Sequence, residues 1–394
     1  MWKTLTLEQV CELVTDGSHN SPKNFAGGFP MASVKDMTRE RITIETCRTI
    51  SKEDFLLLVK NGCQPKDGDV LIAKDGATCL DTVCVYRQKD EIVLLSSIAI
   101  LRPSESLDSD YLRYYLEAPG TKSMLKSGFI SGSAIPRVVL KDFRRAPITL
   151  PPLSEQRAIA RILGALDDKI ELNRRMNATL ESMARAVFRQ WFVEGEEVRR
   201  WEEKSLDEIA DFLNGLALQK FPADGEEYLP VIKISQLRTN DTNDADKASI
   251  NVPPQYIVED GDILFSWSGS LTVVVWCGGK GALNQHLFKV TSDKYPKWFY
   301  YYWTKHHLAE FQEIAAGKAT TMGHIQRYHL SAAKVLVPSD NELQKMDKLM
   351  SPLLDKVIVN NLESRTLASL RDGLLPKLMS GEVRVKDVEK ESVL

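Results

Sequence analysis

The side chains able to do covalent chemistry are few in this sequence, and none sits at a spacing that such chemistry requires. There is no G-x-x-x-x-G-K-[ST] loop to cradle phosphates, no H-E-x-x-H helix to hold zinc, no G-x-S-x-G turn to expose a serine, and no strand leading into G-x-G-x-x-G. The glycine-rich GGKGAL at Gly278 to Leu283 lacks phosphate-loop spacing and reads as a turn. NVPPQY at Asn251 to Tyr256 comes near an N-P-P-[FY] loop, in which an asparagine and a proline carbonyl hold a target amino group. The inserted Val252 and the displaced aromatic spoil that geometry, and no glycine-rich cofactor strand precedes it. His306 and His307 are neighbours on an aromatic helix, where adjacent residues do not face each other, so they make no metal pair. The six cysteines (Cys11, Cys47, Cys63, Cys79, Cys84, Cys277) include no C-x-x-C and no histidine at zinc-finger spacing, and read as reduced, mostly buried thiols. Binding is therefore expected here, with no metal and no catalytic residues in this chain.

The elements that would position a binding site are easier to find. From Pro151 to about Phe192 a seam recurs in alternate steps of four and three, through Ile159, Leu163, Leu166, Ile170, Asn173, Asn177, Leu180, Ala184, Val187 and Trp191. A helix of that length extends about 60 Å at 1.5 Å per residue and needs a partner to cover such a seam. The chain supplies one, because at a constant offset Pro151 recurs as Pro338, Asp168-Lys169 as Asp355-Lys356, and Asn173 as Asn360. The second seam runs through Met346, Met350, Leu353, Val357, Asn360, Ser364, Leu367, Arg371, Leu374 and Leu378, with Pro352 expected to kink its helix. Asn173 and Asn360 fall in one layer, where a lone asparagine fixes register at some cost in stability.

The segments ahead of the helices repeat as well. KSLDEIADFLNG answers TLEQVCELVTDG, the latter read as an amphipathic helix or turn ending at Gly17. LPVIKISQLR answers FPMASVKDM, GDILFSWSGS answers GDVLIAKDGA, and KATTMGHIQRYHLSAAKVLVP answers SGSAIPRVVLKDFRRAPITLP. Short β-branched runs bounded by Gly, Asp and Pro, mixed with helical stretches, predict an α+β domain on an antiparallel or mixed sheet. The expected organisation is a globular domain at 1–150, a long helix at 151–198, a second globular domain at 199–338, a second long helix at 339–380 and a tail at 381–394. The helices are expected to pair as an antiparallel coiled coil, giving a pseudo-twofold internal duplication. A period this long is a duplication, not a solenoid array.

Composition bounds the partners. The 394 residues, 43% hydrophobic and 27% charged, describe an ordinary globular protein, with no apolar run long enough for a membrane span and no signal peptide, so a cytoplasmic location is expected. A net charge of -3 argues against bulk-charge binding of nucleic acid, so any such site must be a local groove. Two like modules with a twofold relation suit duplex DNA, whose symmetry they mirror, and their divergent sequences imply an asymmetric, split target.

PPLSEQRAIARILGALDDKIELNRRMNATLESMARAVFRQWF, the closing LRDGLLPKLMSGEVRV, and the paired GDVLIAKDG and GDILFSWSGS together resemble the specificity subunit of Type I restriction-modification systems, over essentially the whole chain. The second repeat departs with PSDNELQ in place of PPLSEQ. The resemblance implies a non-catalytic subunit with two target recognition domains that bind double-stranded DNA. It also implies two methyltransferase subunits docked on the helices, two restriction-translocase subunits, and S-adenosylmethionine, ATP and Mg held by those partners, with no membrane role. Two other readings stay open: a helical scaffold whose globular ends bind proteins, and a DNA methyltransferase in its own right.

Base edges in the major groove are read by Arg, Lys, Asn and Gln, helped by Ser and Thr, on loops held by a scaffold. Polar residues at repeat-equivalent places are the candidates. In the first domain they are Lys35, Asp36, Lys74, Asp75, Ser131, Ser133 and Arg137. In the second they are Lys233, Ser235, Gln236, Arg238, Ser266, Ser268, Lys318, Thr320, Thr321, His324 and Gln326.

If the helices set the separation of the two half-sites, one heptad inserted into both, after Asn177 and near Asn360, keeps the seam and adds about 10 Å. At about 3.4 Å per base pair the preferred spacer should lengthen by roughly three base pairs, with weakened binding because one half-site turns about a third of the way round the duplex. Selection from a library of spacer lengths reads this out. An unchanged spacer with full affinity eliminates the ruler.

Overall fold

The computed structural model describes residues 2–131, 136–195, 200–317 and 323–385. The chain divides into two compact units, residues 1–168 with 368–394, and residues 169–367. No helix among the described residues is long and apolar enough to cross a membrane.

The first unit opens with β1 (Lys3–Thr6), one helical turn α1 (Leu7–Val10) and β2 (Cys11–Asp16). This narrows the amphipathic helix or turn read over TLEQVCELVTDG to its turn, with a strand in place of the rest. Only the turn is helical, closed by Thr6 N–H donating to Gln9 Oε1 at 2.9 Å, and beyond it backbone pairing with the strand Ile98–Pro103 overrides the helical period. There follow β3 (Phe29–Ala32), β4 (Arg48–Ile50), α2 (Lys52–Lys60), β5 (Val70–Ala73), β6 (Val83–Val85), β7 (Val93–Leu94) and β8 (Ile98–Pro103). Then come α3 (Ser109–Glu117), α4 (Pro119–Phe129), β9 (Ile130–Ser131), β10 (Arg137–Val138), α5 (Leu140–Phe143) and β11 (Pro147–Leu150), before the long helix α6 (Leu153–Phe192).

The second unit repeats the plan with β12 (Glu202–Ser205), α7 (Leu206–Ile209), β13 (Asp211–Asn214), β14 (Leu229–Ile232), α8 (Ile234–Thr239) and β15 (Lys247–Ala248). Next are β16 (Ile257–Val258), β17 (Ile263–Ser266), β18 (Thr272–Val275), β19 (Gly281–Leu283) and β20 (Leu287–Thr291). Helices α9 (Lys297–His306), α10 (Leu308–Gly317) and α11 (Arg327–Ala332), strand β21 (Lys334–Val337) and the long helix α12 (Asp340–Ser380) complete it. α12 runs through Pro352, whose exposed ring does not end the helix.

The large sheets match strand for strand, and the smaller ones share a parallel central pair. An antiparallel sheet ordered β2-β8-β5-β6 in the first unit answers β13-β20-β17-β18 in the second. A smaller sheet β4-β3-β7, in which β3 and β7 run parallel, answers β15-β14-β19-β16, in which β14 and β19 run parallel. Alternation along the central strand explains how each large sheet is covered on both faces. Val70 and Ile72 face the core shared with the long helices, while Leu71 and Ala73 face a second core with the smaller sheet. Ile263 and Phe265 against Leu264 repeat that arrangement.

The long helices complete each unit's main core. In the first, Ile159 and Leu163 of α6 meet Leu375, Leu378 and Met379 of α12 beneath Tyr111, Tyr114 and Phe143. In the second, Ala184, Phe188 and Phe192 of α6 and Met346, Met350 and Leu354 of α12 pack under the aromatic helix α9, whose Trp298 to Thr304 are all buried. None of the seam residues named from the sequence is exposed.

In the first unit the helices are also tied down by charge. Asp167 Oδ1 accepts from Arg39 and from Arg371, each at 2.8 Å, and Oδ2 accepts from Tyr114 at 2.6 Å and Arg113 at 3.3 Å. Burial alone would raise the Asp167 carboxyl, but Arg39, Tyr114, Arg371 and Arg113 outweigh it and hold it below the ordinary aspartate value. A lowered folded value means the stabilisation is complete above the unfolded value near about 3.9 and is lost as pH falls through the folded one. Asp167→Asn is expected to cost about 2 kcal/mol at neutral pH, because Arg39, Arg113 and Arg371 each lose one carboxylate partner and keep only Glu117 or Asp372. The deficit should shrink as pH drops below about 4. Denaturant melts across that range check the sign, and a deficit that grows toward acid would contradict it.

Candidate nucleic-acid interface

In the first unit a polar cluster forms where β2 and β5 both end. Gly17 follows Asp16 because a Cβ there would stand 2.2 Å from the Leu94 carbonyl oxygen, and Ser18 then pairs in parallel with Leu95. Lys74 is buried just past β5, with Nζ 3.1 Å from Asp16 Oδ2 and 3.6 Å from Asp75 Oδ1, so two carboxylates compensate the desolvated ammonium. Asp75 also accepts from Arg137 Nε at 3.0 Å, and the two residues form a backbone bridge. Arg137 keeps 61% of its side chain exposed, and the exposed His19 brings Nε2 to 3.3 Å from Asp16 Oδ2.

The second unit builds the same corner with different side chains. Gly215 is packed 2.2 Å, measured at its would-be Cβ, from the Asn284 carbonyl oxygen, Leu216 pairs in parallel with Asn284, and Ser268 bridges His324. Asn214 stands where Asp16 does, Trp267 where Lys74 does, Ser268 where Asp75 does, and His324 where Arg137 does. Trp267 Nε1 donates to Asn214 Oδ1 at 2.9 Å and lies 3.2 Å from the Gln285 carbonyl oxygen. Ser268 Oγ and His286 Nδ1 are 2.9 Å apart, and the His286 and His324 rings lie 6.1 and 6.2 Å from the indole.

Among the residues singled out from sequence, Lys74, Asp75 and Arg137 thus come together in one unit, and Ser268 and His324 in the other. Ser131 lies in β9 opposite Arg137 in register. Arg238 is exposed and donates to Ser270 Oγ, two residues past Ser268. Lys35 is exposed on a single helical turn and Ser235 on α8, Lys233 pairs with Asp246, and the exposed Gln326 caps the start of α11. Ser133, Lys318, Thr320 and Thr321 lie outside the described residues.

Three candidates leave the set of base readers. Asp36 is buried, with Oδ2 accepting from Ser33 N–H and Oγ at 2.8 and 2.9 Å and Oδ1 accepting from Thr46 Oγ1 at 2.9 Å. Gln236 does the equivalent work, its Oε1 accepting from Lys233 N–H at 3.2 Å and Ser235 Oγ at 2.8 Å. Ser266 is fully buried and its Oγ lies 3.0 Å from the carbonyl oxygens of both Ser268 and Ser270. All three close local turns, Asp36 through both carboxylate oxygens, Gln236 through Oε1 and Ser266 through Oγ. Asp16, His19, Asn214, Trp267, Gln285 and His286 were missed. The repeated Asp/Asn-Gly ending a strand, and the SSI and QHL that precede β8 and β20, were the available signals.

On the helices, Asn173 is fully buried and its Nδ2 donates to Glu363 Oε2 at 2.9 Å, Ser364 Oγ at 3.2 Å and the Asn360 carbonyl at 3.3 Å. Asn360 Nδ2 donates to Asn177 Oδ1 at 2.8 Å. Burial pushes the Cys79 and Cys277 thiols up to about 11 and Cys47 to about 12, so these sulfurs stay protonated at neutral pH. No group of three metal-ligating side chains occurs among the described residues.

One scaffold used twice, with distinct polar corners at equivalent strand ends, defines a two-module recognition protein. The chain belongs to the Type I restriction modification DNA specificity domain family, whose model matches residues 1–182 and 199–369, and its role is that of the specificity subunit that recognises DNA. It is 25% identical to the Type I restriction enzyme MjaIX specificity subunit of Methanocaldococcus jannaschii, covering 73% of this chain and 72% of that one. It is 20% identical to the HindI specificity subunit of Haemophilus influenzae, covering 81% and 87%. The crystal structure of a Type I restriction-modification S subunit from M. genitalium shares the fold, with a TM-score of 0.56 at 16% identity over 96% of each chain.

Because Asp36 and Gln236 cap turns, Asp36→Ala and Gln236→Ala should each lower stability by about 1 to 2 kcal/mol. Neither should alter base preference. Denaturant melts with randomised-duplex selection check both halves of the statement, and a changed preference in a folded variant would return either residue to the reading surface.

Proposed function

We propose that this chain reads a split, asymmetric duplex target, the domain at 1–150 taking one half and the domain at 199–338 the other, without catalysing a reaction itself. Its proposed setting is cytoplasmic. Two methyltransferase subunits would dock against the long helices and methylate adenine N6 with S-adenosylmethionine, and two restriction-translocase subunits would use ATP and Mg. The observation that carries this reading is the pair of equivalent strand-end corners, Asp16-Lys74-Asp75-Arg137 and Asn214-Trp267-Ser268-His324, on one backbone plan. The helices also hold Leu172, Met183, Leu349 and Val359 exposed outside the seam, apolar positions suited to partner subunits.

Replacing residues 1–145 with the matching domain of another specificity subunit, in cells carrying the methyltransferase, should change one half of the methylated motif and leave the other intact. Methylome sequencing reads this directly. The purified chain alone should show no methylation, cleavage or ATP hydrolysis until a methyltransferase partner is added. Both halves changing together, or turnover by the isolated chain, would overturn the proposal.

A further inference from the structure

The two strand-end corners share their backbone and almost none of their side-chain chemistry. Each has a glycine pressed against a carbonyl, a parallel bridge beside it, and a bridge from the residue after the strand end to a distant segment. Around that constant frame the first unit sets an ionic chain, Asp16 to Lys74 to Asp75 to Arg137, and the second a chain of amide, indole, hydroxyl and imidazole without a carboxylate. Fold requirements alone would keep such a corner alike, as they keep Asp36 and Gln236 alike in capping and Asp69 and Asp262 alike in pairing with a cation of the neighbouring strand.

We propose that these corners are the specificity-determining elements of the two half-sites, with Lys74 and Trp267 as positioning residues for Arg137 and His324; this rests on the DNA-reading function proposed above. In the first unit Asp75 holds Arg137 Nε and Lys74 holds Asp75, which fixes the plane of a largely exposed guanidinium. A planar cationic fork of that kind pairs with guanine N7 and O6 in the major groove. In the second unit the corresponding place is lined by His324, His286 and Ser268 around the Trp267 ring. An imidazole presents separate ring nitrogens in place of a planar fork, so it discriminates by a different pattern. The first half-site therefore requires guanine at the base pair facing Arg137, and the equivalent position of the second half-site does not share that requirement.

The test uses the full chain with its methyltransferase partner and selection from randomised duplexes. Arg137→Ala should reduce guanine preference at one position of the first half-site by about ten-fold or more and leave the second half-site untouched. Lys74→Met should relax that same position with unchanged binding to non-specific DNA at the same salt, and Lys74→Arg should restore it in part. Trp267→Phe, which keeps an aromatic ring and removes the donor to Asn214, should alter one position of the second half-site alone. Should Lys74→Met not fold, the exposed Arg137→Ala and the still aromatic, smaller Trp267→Phe decide the matter. Folded variants of both that keep wild-type preference at every position overturn the inference. A wild-type complex that enriches no sequence at all would instead defeat the DNA-reading function on which it rests.

Discussion

Everything in this protein depends on covering the two long seams with each other at one register. Apolar layers alone would tolerate a slip of one heptad, since leucine, isoleucine and methionine fill similar space. The layer around Asn173 does not tolerate it, because a slip would strip the buried amide of Asn360, Glu363 and Ser364 and leave a donor unsatisfied at a cost of about 1 to 3 kcal/mol. That register decides which helix side chains lie under each sheet. Ile159 and Leu163 meet Leu375 and Leu378 in one unit, and Phe188 and Phe192 share a core with Met346 and Met350 in the other.

Duplication divides the remaining residues into those the fold holds and those it leaves open. The turn that opens each unit is closed by a capping box, Thr6 with Gln9 and Ser205 with Glu208, and Gly17 and Gly215 meet the same steric wall. Such residues answer to backbone geometry and change only to chemical equivalents. At the strand ends the same backbone accepts a buried ion pair in one unit and an indole in the other, so packing does not dictate the side chain there. Freedom of that kind, on a rigid frame, is what a protein needs to change what it binds without refolding.

The long helices, the internal repeat and the mixed-sheet domains were legible in the sequence because each rests on a periodic or repeated pattern that no tertiary contact has to supply. The opening stretch misled. TLEQVCELVTDG carries a helical spacing over too few residues to outvote the pairing of Cys11–Asp16 with β8. In the candidate site, repeat alignment singled out Lys74, Asp75, Arg137, Ser268 and His324, which the fold brings together within their units, and also Asp36, Gln236 and Ser266, which turn inward, since a polar residue that caps a turn inside looks the same in sequence as one that faces solvent. Asp16 and Asn214 were passed over because their role appears only when strands far apart in sequence end side by side.

A net charge of -3 looks unsuited to DNA until affinity and specificity are separated. Affinity for duplex comes mainly from cations that neutralise phosphates, and several exposed cations on α6 are already engaged. Arg174 and Arg175 pair with Glu171, and Arg185 pairs with Glu181, which also takes Lys305. Lys74 is likewise occupied by two carboxylates. Base reading asks for something else, a few donors and acceptors fixed in direction, and direction is what Asp75, itself held by Lys74, supplies to Arg137. An acidic neighbour that weakens general attraction to phosphate also orients the guanidinium, so under the proposed reading Asp75 both lowers the net charge and sharpens the choice of base. Under the proposed division of labour the phosphate contacts fall largely to partner subunits, and a nearly neutral specificity subunit is the physically consistent counterpart.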